Sequence, residues 1–87
     1  MRPDPARVAE FVHHILQAIT RISSYTSGLT EADFAANSQV QDAVIRNIEI
    51  MGEAAKNLNL IDPEFSARHP EIPLRDVYVM RNRLAHG

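Results

Sequence analysis

Arg81 and His86 stand five positions apart near the end of an 87-residue chain, with Asn82 directly after the arginine. A guanidinium grips a phosphate through its planar fork of donors, and an imidazole moves a proton near neutral pH. Together they form a minimal kit for cleaving RNA. Asn82 and His86 are four apart, hence neighbours on one helical flank. Arg81 falls between Val77 and Tyr78, inside the apolar arc of the last helix, where an unpartnered charge is expensive. Asp76 and Arg83 take the opposite, solvated side. Two readings stay open from spacing. In one, a phosphate clamp (Arg81), an orienting amide (Asn82) and a proton carrier (His86) line a cleft. In the other, Arg81 pairs with Glu49 or Glu53 of the longest helix, and His86 caps a helix C-terminus.

Three residues of that longest helix are candidates to support the site. Glu49 and Glu53 are four apart with like charge, which mildly disfavours the helix unless a cation lies nearby. Solvation, with Arg46 three residues before Glu49, is the plain account; Glu53 holding Arg81 in place is the sharper one. Asn47 falls near the middle of the apolar face, where a buried amide needs hydrogen-bond partners. It serves either as an internal structural device or as part of the cleft wall. Arg75 and Arg83 are the candidate RNA-binding cations, because the charge is uneven. Residues 1–67 balance to −4, whereas residues 68–87 carry Arg68, Arg75, Arg81 and Arg83 against Glu71 and Asp76. With a formal net charge of −2, broad capture of a polyanion is excluded and a small local basic site is permitted.

The elements that must position these groups are all helical. Asp4 followed by Pro5 reads as an N-cap and first helical residue. Val8, Phe11, Val12, Ile15, Leu16, Ile19 and Ile22 then fall within an arc of roughly 140°, one core-facing stripe. Ser23, Ser24, Thr26, Ser27 and Gly28 are expected to end this helix. Thr30 to Asp33 resembles a capping box with a shorter acid, and Phe34 gives a brief second helix something to bury. Ser38 to Gln41 reads as another capping box, opening the longest helix. Val40, Ala43, Val44, Ile48, Met51, Ala54, Ala55 and Leu58 share one face of it, with Ile45 and Gly52 on a flank. A helix packed on two sides is the natural centre of a bundle. Asp62-Pro63 is expected to start a short helix that Pro70 closes, and Pro73 to start the last. The expectation is an all-α antiparallel bundle of four to five helices.

Composition narrows the rest. Eighty-seven residues make one domain, and a chain this short buries only about 60% of its unfolded surface, so the monomer is marginal. No cysteine is present to form a disulfide or a thiolate metal site. With 45% hydrophobic residues, the composition suits a helical domain that gains stability by associating. No apolar run suits a signal peptide or a membrane span, so a soluble, cytoplasmic protein is expected. Adjacent His13 and His14 point about 100° apart and chelate one metal poorly. His69 reads as a helix-end cap, Tyr78 as a packing residue. Neither a glycine-rich phosphate loop nor a serine-centred triad appears.

Three blocks, Gln41 to Lys56 (QDAVIRNIEIMGEAAK), His69 to Pro73 (HPEIP) and Met80 to Gly87 (MRNRLAHG), together resemble the HepT-like branch of the HEPN superfamily. The resemblance covers most of residues 5–87. It implies a homodimer in which the R-x4-H motifs of both chains face a shared cleft. It implies a metal-independent RNA endonuclease without cofactor, acting as a toxin neutralised by a nucleotidyltransferase antitoxin. By position, Arg81 and His86 take the motif roles and Asn82 the polar place after the arginine. The family pattern continues as H-x-Y, whose tyrosine would follow Gly87, with a terminal helix beyond; residues 1–87 would then be the domain without that helix. Leu74 stands where relatives commonly carry tryptophan. Two rivals belong to other classes. One is a non-catalytic helical adaptor that offers a nucleotide or substrate to a nucleotidyltransferase. The other is a bare dimerisation module with Arg81 as an ion-pair partner.

Overall fold

A computed structural model describes residues 3–72 and residue 74, and within them the structure is all-α, as expected. Four helices follow in order: α1 (Pro5–Thr26), α2 (Glu31–Ala35), α3 (Ser38–Ile61) and α4 (Phe65–Arg68). The direction of α3 follows from reach. Residues 27–37 span at most about 29 Å when α2 is helical and the rest extended. That is shorter than the roughly 33 Å length of α1, so α3 must return antiparallel and pack along it. α3 is the centre: α1, α2 and α4 all pack on it.

The core lies between the two long helices. Ile15 and Ala18 of α1 meet Met51, Ala54, Ala55 and Leu58 of α3, with Phe65 and Leu74 closing one end. Ala18, Ala54 and Ala55 carry little side chain, so the helices approach closely and the larger neighbours interdigitate around them. The stripe on α1 is broader than α3 can cover. Ile15 is buried, but Leu16 and Ile19 remain 56% and 47% exposed. A roughly 140° stripe exceeds the contact arc of a single partner helix, so one flank stays open.

Helix ends differ from the sequence reading in instructive ways. α1 runs through Ser23 and Ser24 to Thr26, because the Thr26 hydroxyl donates back to the Ile22 carbonyl at 2.8 Å and so stays within the helix. Gly28, at φ 75°, then makes the left-handed turn that an L side chain resists. α2 has the expected capping box, with Asp33 N–H donating to Thr30 Oγ1 at 3.0 Å and Thr30 N–H donating to Asp33 Oδ2 at 3.1 Å. α3 does not use the Ser38–Gln41 box. Asn37 is the N-cap, its Oδ1 accepting from Val40 N–H at 3.1 Å. Gln41 instead donates through Nε2 to the Phe34 and Ala35 carbonyls, tying the end of α2 to α3. Asn37→Ala should therefore lower stability by about 1 kcal/mol, whereas Ser38→Ala should leave the urea midpoint nearly unchanged.

Asp62 and Pro63 do not open α4, which starts at Phe65 with Glu64 as its uncapped N-cap. Asp62 ends α3, its N–H donating to the Leu58 carbonyl at 2.8 Å, and its carboxylate takes the Arg68 guanidinium. The carboxylate is thereby engaged elsewhere and does not cap the next helix. Asp62 is 4% exposed, while the Arg68 side chain is half-exposed. The attraction itself is weak when one partner is wet; stranding the buried carboxylate costs more. Arg68→Ala should cost about 1–3 kcal/mol, read as a lower urea midpoint.

Candidate functional site

The groups proposed for the site divide between two parts of the chain. Arg81, Asn82 and His86, with Arg75, Arg83 and Tyr78, lie outside the described residues. The supporting candidates Asn47, Glu49 and Glu53 lie on α3. The structure does not bring these three together. Asn47 is buried on the face toward the core, with 5% exposure, while Glu49 and Glu53 are exposed. At about 100° per residue, Glu49 lies roughly 160° around the helix from Asn47. The two carboxylates therefore serve a different surface from the amide.

Asn47 has a defined orientation. Its Nδ2 donates to the Ala43 carbonyl one turn back, at 2.8 Å. A carbonyl only accepts, so this bond fixes which end of the amide is nitrogen. The other end, Oδ1, is buried with no hydrogen-bond partner among the described residues. An amide oxygen sealed from solvent without a donor is destabilising, and such groups are uncommon in folded proteins. The central position of Asn47 on an apolar face gave the sequence-level signal for burial. It carried no signal for a missing donor.

Leu74 joins the core. It is 5% exposed and belongs to the same core cluster as Met51 and Leu58 of α3.

A second constellation, at the α1 start and α4, escaped the sequence reading. Val8, Val12, Phe65 and Ile72 line a shallow apolar cleft, with Arg68 and His69 at its edge. His69 caps α4 through its backbone, as expected. Its ring also stacks on Phe65 at 4.5 Å between centroids and meets Glu71 Oε1 at 3.0 Å. The backbone amide of Glu71 itself, and then the His69 ring, hold the Glu71 carboxyl below its ordinary value. The Asp62–Arg68 pair joins the end of α3 to α4, so helical periodicity carried no sign of it. The Arg68 guanidinium and the His69 ring already have carboxylate partners, which makes the cleft a poor phosphate site. His13 is exposed on α1, and the edge of the His14 ring packs against Phe11. That arrangement serves a solvated face. No helix among the described residues is long and apolar enough to cross a membrane.

Several known proteins are similar to this chain in sequence. A protein of Methanocaldococcus jannaschii described as "Gamma-glutamylcyclotransferase and putative RNase" is 44% identical over 84 residues, covering 97% of this chain and 35% of that protein. "Probable ribonuclease HepT" of Thermococcus cleftensis is 40% identical over 78 residues, covering 90% of this chain and 68% of that one. A "Putative RNase" of Caldanaerobacter subterraneus is 33% identical over 76 residues, or 87% and 65% of the two chains. The chain thus spans about one third of the first relative and about two thirds of the others. No solved structure matches. The family model "Ribonuclease HepT-like" matches residues 15–87, a span that includes Leu74, Arg81, Asn82 and His86. The chain belongs to the HepT-like ribonuclease family.

Proposed function

We propose that this chain carries the catalytic motif of a metal-independent endoribonuclease, the toxin of a pair whose antitoxin is a nucleotidyltransferase. The observation that carries the proposal is family membership over a span containing the R-x4-H motif. The exposed Leu16 and Ile19 flank supports association of two copies, since a bare aliphatic pair on a marginal domain favours a partner of like surface. In such a dimer the two motifs face one cleft.

The chemistry needs no metal. Neutral His86 takes the proton of a 2′-hydroxyl, and the 2′-oxygen attacks the adjacent phosphorus. Arg81 stabilises the charge that builds on the non-bridging oxygens through its fork of donors. The bond to the 5′-oxygen breaks, and the leaving oxygen takes a proton from the imidazolium. Asn82 orients the phosphate or the ring, while Arg75 and Arg83 hold flanking phosphates. One strand ends in a 2′,3′-cyclic phosphate and the other in a 5′-hydroxyl.

Incubating the natural gene product with single-stranded RNA in excess chelator tests this reading. The expected products carry cyclic phosphate and 5′-hydroxyl ends. Intact RNA, or cleavage that returns only on adding a divalent metal, would overturn it.

A further inference from the structure

We infer that the His69 ring is a stacking platform for one unpaired base of the RNA substrate. The inference deepens the proposed function and rests on it for the identity of the ligand. His69 is held at its face, its edge and its backbone. The ring lies on Phe65 with 4.5 Å between centroids and the planes 33° apart. Phe65 is 5% exposed and belongs to the core, so it cannot slide from beneath the imidazole. Nδ1 meets Glu71 Oε1 at 3.0 Å, which sets the rotation of the ring. His69 N–H donates to the Phe65 carbonyl at 2.9 Å, and Ile72 N–H donates to the His69 carbonyl at 3.0 Å. Even so, 44% of the His69 side chain stays exposed. With Phe65 on one face and Glu71 at one edge, that exposure falls on the opposite face and the Nε2 edge.

The proposed chemistry creates the need for such a surface. A 2′-oxygen attacks phosphorus in line only when its nucleotide is splayed out of the regular helix, and a splayed base loses its stacking neighbours. Aromatic side chains replace them in single-stranded RNA recognition. A ring whose plane is already fixed gives up little conformational freedom when a base settles on it. Stacking also tolerates the carboxylates of Asp62 and Glu71, which deter a phosphate at this place. The other exposed rings among the described residues are less prepared. Tyr25 has no aromatic ring behind it there, and His13 meets His14 at 6.4 Å with the planes 52° apart, which backs neither face.

Binding of a short 2′-O-methyl oligoribonucleotide to the natural gene product tests the platform, because the blocked 2′-oxygen prevents cleavage. An abasic oligomer of equal length and charge is the control. His69→Ala should weaken binding of the base-bearing oligomer about 5–20-fold, within the range for losing one stacked base. His69→Phe should bind within about twofold of the wild type, since it restores a ring without the imidazole nitrogens. Neither change should alter binding of the abasic oligomer. Equal affinity of the wild type and His69→Ala for the base-bearing oligomer, or an equal loss on both oligomers, would overturn the inference. If His69→Ala does not fold, the wild-type protein decides by NMR. The His69 Hε1 resonance should move upfield under the ring current of the bound base, and a resonance that stays put at every oligomer concentration would overturn the inference. Cleavage of unmodified RNA is followed in parallel. An upfield shift with RNA left intact would sink the nuclease reading and keep the platform; cleaved RNA without the shift would sink the platform alone.

Discussion

Replacing His86 by alanine should lower RNA cleavage by about 10²–10⁴-fold, the range for a lost general base, and should leave the helical circular dichroism signal unchanged. The two halves of that result belong together. His86 is the penultimate residue of the sequence, twelve positions past Leu74, the described core residue nearest to it in the chain. On the proposed roles its removal withdraws a proton carrier from the chemistry, whereas the described core is built from Ile15, Ala18, Met51, Ala54, Ala55, Leu58, Phe65 and Leu74. The base must be neutral to act, so the rate of the unaltered protein should rise with pH through the imidazole range. The alanine variant should lose that limb. A variant that keeps the limb would assign the proton transfer to another group. Undiminished cleavage by His86→Ala would remove this residue from the mechanism.

Arg81→Met should lower cleavage by about 10²–10³-fold, the usual effect of deleting one donor to a developing oxyanion. Thermal stability should hold or rise, because an apolar chain of similar length replaces a charge within an apolar arc. Arg81→Lys should recover little of the loss. An ammonium supplies the charge but not the planar pair of donors that fits two phosphoryl oxygens. The set separates a nuclease from a bare dimerisation module. An arginine serving only as an ion-pair partner would be replaced with stability preserved or improved and no cleavage to lose. A phosphate clamp moves kcat with Tm nearly still. Full recovery by lysine would show that charge, and not geometry, is what the position supplies.

The fold was legible wherever local chemistry decided it. The Asp4-Pro5 start of α1 and the Thr30–Asp33 capping box of α2 use side chains within three residues of the backbone groups they satisfy. The central place of α3 followed from its apolar main face together with the flank of Ile45 and Gly52. Competition between adjacent polar residues was not legible. Asn37 and Ser38 both suit an N-cap, and the cap moved to Asn37 because Gln41 is engaged by the carbonyls ending α2. The Asp62 carboxylate was likewise claimed by Arg68 from the next element, so it did not open α4. Such choices depend on where α2 and α4 sit, which no short window of sequence contains. Leu16 and Ile19 show the same limit in the core: periodicity put them on the apolar stripe, and only the width of α3 decides how much of it is covered.

For the candidate site, residue types carried nearly all of the information. The order of arginine, asparagine and histidine left phosphodiester chemistry and an ion-pair role both open until the surrounding blocks were set beside it, while the central position of Asn47 announces a buried amide. The division of α3 into a buried amide and exposed carboxylates needed coordinates, because like-charge spacing says nothing about which surface the pair faces.

On the proposed reading, the arginine of one copy and the histidine of the other share a single crevice. Subunit mixing measures that directly: Arg81→Ala and His86→Ala dimers, each inactive, are unfolded together, refolded and assayed on RNA in chelator. Activity should return, because a mixed dimer offers an intact arginine from one chain and an intact histidine from the other. A mixture as inactive as its parents, with mixed dimers demonstrably formed, would contradict the shared crevice.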